Sequence, residues 1–120
     1  MTITSQYSSA KTYKTRDGSE IRELVHPELH HNKNQSFAEA IVYYGEKTRL
    51  HFHQISEEIY YITQGEGLMT LNEDSFAVTI GDAICINPGT PHCIENTGDT
   101  ALHIFCMCSP AYSHEDTHLL

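Results

Sequence analysis

The sequence predicts an all-β chain, a sandwich or barrel of short strands. Three observations carry this expectation. Runs rich in β-branched and aromatic residues recur along the chain, as in FAEAIVYY, EIYYITQ and ALHIFCMC. Turn signals built on Gly, Asn and Asp separate such runs at the spacing of roughly 8–12 residues expected of sandwiches and barrels. No stretch has the apolar periodicity of a long amphipathic helix. The 120 residues fit one domain. A chain of this size buries roughly two-thirds of its unfolded surface, enough for a core without staples.

Taken in order, the first twenty or so residues are polar and aperiodic, with a turn marked by Asp17-Gly18. Ile21–Val25 reads as a first strand, ended by His26-Pro27 because the residue before proline is pushed to extended geometry. PELHHNKNQS reads as a loop, and its His30 and His31 as solvated. Phe37–Tyr44, Arg49–Gln54, Glu58–Gln64, Leu68–Leu71, Phe76–Ile80, Ala83–Ile86, His92–Asn96 and Ala101–Cys108 are the following strands. The tail SPAYSHEDTHLL carries Pro110 and charge and is expected to be irregular. The expected organisation is an N-terminal arm over 1–25, a barrel over 26–110 and a tail over 111–120.

Charge and composition exclude several classes of partner. Seven basic against sixteen acidic residues leave −9 with His neutral. Nucleic acids and anionic membranes need a basic footprint, so neither is expected. No run approaches the ~20 apolar residues of a membrane span. The N-terminus MTITSQYSSAKTYKT lacks the apolar core of a signal peptide, so a cytoplasmic protein is the default. Cys85, Cys93, Cys106 and Cys108 lack the spacing of a small secreted disulfide scaffold and read as reduced thiols. Cys106 and Cys108 share a strand face; small buried filler is the expectation, a Cys-x-Cys metal site the alternative.

The chemistry concentrates in GEKTRLHFHQISEEIYYITQG, from Gly45 to Gly65. Alternate side chains of a strand share a face, so His51 and His53 point the same way, about 7 Å apart at two residues' rise. Glu57 and Glu58 follow after a short connection. Imidazole with carboxylate is a donor set for Zn²⁺, Fe²⁺, Mn²⁺ and similar ions. A second stretch, GDAICINPGTPHCIENTG from Gly81 to Gly98, frames one histidine with Pro88, Gly89 and Pro91. Such constrained residues hold a following side chain in place. His92 is then the natural fourth donor. Three His and one Glu leave one or two positions open on a five- or six-coordinate ion, as a catalytic metal requires.

Together these stretches resemble the cupin superfamily, in its single-domain, cupin-2 type, RmlC-like form. The first matches the motif Gly, five residues, His-x-His, four residues, Glu, six residues, Gly, at Gly45, His51, His53, Glu58 and Gly65. The second matches Gly, five residues, Pro-x-Gly, two residues, His, three residues, Asn, at Gly81, Gly89, His92 and Asn96. One position departs: Asn87 stands where the family has its first proline, with Pro88 next to it. The resemblance implies a small jelly-roll β-barrel holding one divalent transition metal (Fe, Mn, Ni, Zn or Co) inside. It implies His51, His53, Glu58 and His92 as ligands. The spacing to Gly65 favours Glu58 over Glu57, and alternation agrees, since Glu58, Tyr60, Ile62 and Gln64 would share a face.

Alternation also nominates neighbours of the site. Arg49 has the parity of His51 and His53 and would clamp a substrate carboxylate or phosphate. Tyr60 has the parity of Glu58 and would donate to a bound oxygen or act as an acid/base. His103 lies mid-strand, by default a buried, satisfied histidine and otherwise a supporting base in the cavity; Asn96 is expected to hold its loop. The expected function is a metal-dependent enzyme acting on a small oxygenated or carboxylate-bearing molecule by isomerase, lyase or decarboxylase chemistry. An Fe- or Ni-dependent dioxygenase and a non-enzymatic module that binds or senses a small molecule or sugar are the alternatives, because one fold hosts all three. The resemblance further implies a homodimer, with residues 1–25 exchanged with or added to the partner.

Overall fold

The computed structural model describes residues 2–120. Among the described residues, eleven strands form two antiparallel sheets. They are β1 (Thr12–Lys14), β2 (Glu20–Val25), β3 (Ser36–Val42), β4 (His51–His53), β5 (Glu57–Gln64), β6 (Glu66–Leu71), β7 (Asp74–Thr79), β8 (Ala83–Ile86), β9 (His92–Asn96), β10 (Leu102–Ser109) and β11 (Thr117–Leu119). One sheet runs β1-β2-β3-β10-β5-β8 and the other β11-β4-β9-β6-β7. This is the expected jelly-roll barrel. One helical turn, α1 (Pro27–His30), interrupts the loop expected there. Its start follows from Pro27 at the first helical position, where proline's fixed φ fits and no N–H is needed. The His26 ring nitrogen Nδ1 caps it by accepting from Glu28 N–H. No helix among the described residues is long and apolar enough to cross a membrane.

Alternation decides what faces inward. In β5, Glu58, Tyr60 and Ile62 are buried while Glu57, Ile59 and Tyr61 are exposed. In β10, Leu102, Ile104, Cys106 and Cys108 are buried. The apolar layer between the sheets is built on Val42, Ile62, Met69, Ile86, Ile94, Leu102 and Ile104, each almost wholly removed from water. Each such side chain contributes roughly 1.5–3 kcal/mol by burial. Two glycines are required by geometry. Gly65 has φ +84°, and a Cβ there would come within 3.0 Å of the Ala101 carbonyl oxygen. Gly89 has φ +78°, a left-handed conformation that costs a glycine nothing.

The chain ends depart from expectation. The segment before Ile21 is not aperiodic: Thr12–Lys14 pairs with Glu20–Arg22 in a hairpin, which β2 then adds to β3. The tail is not irregular at its end, since β11 pairs with β4, Thr117 opposite His53 and Leu119 opposite His51. The strand expected over Arg49–Gln54 shrinks to His51–His53. The backbone of Arg49 is used elsewhere, donating to the Asp17 carbonyl at 2.7 Å.

Candidate metal centre

Sheet register brings the histidines together. β4 and β9 pair with His51 directly opposite His92, and their ring centroids lie 4.2 Å apart. His53 lies two residues on, on the same face, with its ring 5.3 Å from that of His92. Each of the three offers a ring nitrogen within 4.8 Å of the others, and all three residues are buried. Glu58 comes from the opposite sheet. Its Oε1 lies 3.2 Å from His53 Nε2 and 3.5 Å from His92 Nε2. Glu57, its competitor in the sequence, is on the surface.

The outer hydrogen bonds determine which ring nitrogens carry protons. His51 Nδ1 lies 2.7 Å from the Arg49 carbonyl oxygen, and His92 Nδ1 2.8 Å from that of Thr90. A carbonyl only accepts, so each Nδ1–H donates and each Nε2 keeps a lone pair. His53 Nδ1 lies 3.0 Å from Thr117 Oγ1, whose own proton goes to the Ser113 carbonyl at 2.9 Å. That too leaves the His53 Nε2 lone pair facing inward. In its neutral form each histidine thus turns an Nε2 lone pair inward, and those of His53 and His92 face Glu58 Oε1. His92 Nε2 and Glu58 Oε1 are buried without a hydrogen-bond partner. Such orphans cost about 1–3 kcal/mol each. A cation is what this donor set fits, and Nδ1 bonds to carbonyl or hydroxyl oxygens are the usual outer support of metal-binding histidines.

The electrostatics of the three histidines differ. Burial alone would push the Glu58 carboxyl up, but the close approach of His53 and His92 outweighs it and holds the group ionised well below the usual carboxylate range. Burial, with His92 and His53 nearby, lowers His51 and favours its neutral form. For His53, burial acts downward and Glu58 upward, and the net direction is up. The second oxygen of Glu58 accepts from Cys108 Sγ at 3.2 Å, across the β5–β10 pair in which these two residues stand opposite each other. Burial and the Glu58 charge raise Cys108, which keeps its thiol protonated as a donor. Cys108 is thus more than filler: it turns the carboxylate toward the histidines. Cys106 lies buried on the same face.

Loops fix these strands in place. Gly89 N–H donates to the His53 carbonyl at 2.7 Å, so the Asn87–Pro91 turn is tied to the end of β4 as well as to the start of β9. The Asp116 carboxylate accepts from Ile55 and Ser56 N–H at 2.9 and 3.0 Å and shapes the connection from His53 to Glu58. Asn96 is buried and holds its loop by donating to the Val42 and Thr100 carbonyls and accepting from Gly98 N–H. Gly45 and Gly81 take positive φ in the turns that lead into the two halves of the site.

The remaining candidates divide. Tyr60 lines the cavity, its ring 6.0 Å from that of His92, and burial raises its hydroxyl well above the ordinary value. Arg49 does not reach the cavity; its side chain is exposed, because β4 begins only at His51 and the alternation does not extend back to residue 49. His103 points away from the cavity, on the other face of β10, with Nδ1 3.1 Å from Glu39 Oε2. His30 and His31 lie at α1, outside the cavity. Sequence reasoning missed Asp17, Glu23, Tyr112 and Thr117, all of which line the cavity. A signal existed for the first two. Tyr13, Thr15, Asp17, Ser19, Ile21 and Glu23 are alternate residues of the β1–β2 hairpin, and all six face inward.

Comparison with known proteins agrees with this architecture. The family model described as the cupin domain matches residues 38–108. The chain is 55% identical over 118 residues to an uncharacterised protein, MJ1618, of Methanocaldococcus jannaschii, covering 98% of this chain and 94% of that one. It is 36% identical over 88 residues to an oxalate-binding protein of Thermotoga maritima, covering 73% of each. Among solved structures, a predicted oxalate decarboxylase of Thermotoga maritima superposes with a TM-score of 0.78 at 29% identity, covering 92% of this chain and 99% of that one.

Proposed function

We propose that this chain, which belongs to the cupin domain family, is a metal-dependent enzyme acting on a small carboxylate by decarboxylase, lyase or isomerase chemistry. His51, His53, His92 and Glu58 would hold one divalent transition metal. The observation that carries this is the convergence of three buried histidine nitrogens within 4.8 Å of one another, with the buried Glu58 Oε1 3.2 and 3.5 Å from those of His53 and His92. Such an ion polarises a bound carboxylate or carbonyl and supplies positive charge at neutral pH.

The chain's own residues do the rest. Ala38, Ala40, Val42, Ile94 and Ile104 give the cavity an apolar wall that excludes water from the reacting end. Tyr60 keeps its proton and is a donor inside that wall. Among the described residues, none that lines the cavity is Lys or Arg. A substrate anion therefore has no protein cation to pair with. This supports a small acid whose affinity depends on the metal, rather than a phosphorylated one. The relatives named for oxalate support the same class, and one of them, named for binding, keeps a non-enzymatic binder as the second reading.

The test begins with elemental analysis of the purified protein. One divalent ion per chain is expected, and a metal-free protein that also refuses Mn²⁺, Fe²⁺ and Co²⁺ would refute the proposal. The loaded and metal-free forms are then titrated with oxalate and related small 2-oxo and 2-hydroxy acids by calorimetry, with ¹³C NMR for products and an electrode for O₂. Binding in the loaded form alone, with a new product and no O₂ uptake, is the expected result. O₂ uptake selects a dioxygenase, and binding without turnover selects the binder.

A further inference from the structure

The β1–β2 hairpin lies outside both sequence motifs, yet its tip enters the site. We propose that Asp17 is a fifth protein donor to the metal centre, carried in by this hairpin. The proposal rests on the reading of His51, His53, His92 and Glu58 as metal donors and extends it.

Asp17 is buried, and its Oδ2 lies 3.7 Å from His51 Nε2. That nitrogen carries a lone pair, because Nδ1–H is spent on the Arg49 carbonyl. The facing atom of Asp17 is a carboxylate oxygen, also an acceptor. Two acceptors facing each other in a buried site repel, and a shared cation removes the repulsion. With metal–nitrogen and metal–oxygen bonds of about 2.0–2.2 Å, two donors to one ion lie between ~3 Å at a right angle and ~4.2 Å when opposed. The Asp17–His51 separation falls inside that window, as do the 3.2 and 3.5 Å separations from Glu58 to His53 and His92. Asp17 and Glu58 thus address different histidines.

The carboxylate is held in this orientation. Ser19 N–H and Ser19 Oγ–H both donate to Asp17 Oδ1, at 2.9 and 2.7 Å, and leave Oδ2 turned toward His51. The tip itself is pinned. Thr15 N–H donates to the Ser19 carbonyl, Gly18 N–H to the Thr15 carbonyl, and Arg49 N–H to the Asp17 carbonyl, two residues before His51. Gly18 adopts φ +95°, which the turn requires. A second carboxylate balances the double charge of the ion, and it leaves one position free on a six-coordinate centre. It also couples the hairpin to the metal: loading the ion should clamp residues 12–25 onto the barrel.

The test uses the full-length protein and Co²⁺. Asp17→Asn keeps the Oδ1 acceptor for Ser19, and so the turn, but removes the charge and replaces Oδ2 with a donor. The expected result is Co²⁺ affinity about tenfold or more below wild type, a changed Co²⁺ visible absorption spectrum, and loss of metal-dependent hydrogen-exchange protection over residues 12–25. Asp17→Glu should recover part of the affinity. Wild-type affinity, spectrum and protection in Asp17→Asn would overturn the proposal while leaving the four-donor centre standing. A wild-type protein that takes no Co²⁺ would overturn both. Should Asp17→Asn fail to fold, Asp17→Ser, whose hydroxyl can still accept in the turn but carries no carboxylate, decides in its place: wild-type Co²⁺ affinity and protection there overturn the proposal, and a measurable loss of both upholds it.

Discussion

The middle of the chain and its two ends build the site by different means. Between Gly45 and Asn96, donors lie on short strands whose alternation and pairing place them directly: His51 opposite His92, and Glu58 opposite Cys108. The ends supply what holds those donors. Thr117 on β11 takes the His53 Nδ1 proton, Asp116 shapes the connection after His53, and Asp17 at the hairpin tip faces His51. The middle carries the donors' identity, and the ends carry much of their orientation.

Substitutions can separate the two contributions. The largest effect is expected in the middle: His92→Ala should abolish stoichiometric metal by elemental analysis, and retained metal would mean that the centre lies elsewhere. In the apolar layer, Ile62→Ala should cost about 2–5 kcal/mol of stability in urea unfolding, since the side chain is fully buried between the sheets. At the C-terminal end, Thr117→Val keeps the shape but removes the acceptor for His53 Nδ1–H. Metal affinity should fall about 10–100-fold by competition titration, and an unchanged value would show that β11 is not needed to orient His53. The smallest effect is expected at Arg49, whose side chain is exposed. Arg49→Ala should leave the affinity of the loaded protein for small acids unchanged in calorimetry, whereas a clear loss would restore the anion clamp that the sequence suggested.

Why neither Arg49 nor His103 reaches the cavity is physical. Alternation is a rule about regular strands, and the chain is regular only from His51, because the Arg49 amide is bonded to the hairpin tip rather than to a strand partner. In β10 the alternation is intact, but a sheet has two faces and sequence alone does not say which is the inside. Phe105 and Met107 made the His103 face look like a core face, yet Ile104, Cys106 and Cys108 face the cavity, with Leu102 buried on the same face. Glu58 was legible because two independent signals agreed on it, motif spacing and parity. Asp17 was visible only as half of a turn signal. Around the tip, Thr15, Asp17 and Ser19 alternate with other polar residues, so only Tyr13 and Ile21 mark the inward face.

By itself, the sequence determined that the chain is all-β, that it is a cupin, and that His51, His53, Glu58 and His92 form one set. The fold class follows from turn chemistry and strand alternation, and the family and the residue set from the resemblance of two motifs to the cupin superfamily. The tertiary structure decided the protonated nitrogen of each histidine, the thiol that turns Glu58, the exclusion of Arg49 and His103, and the arrival of Asp17 and Thr117. Those depend on contacts between segments up to a hundred residues apart, as between Arg16 and His114 or Thr15 and Tyr112. Long-range register and the choice of inner face are set by packing the whole barrel, and no window of the sequence contains them.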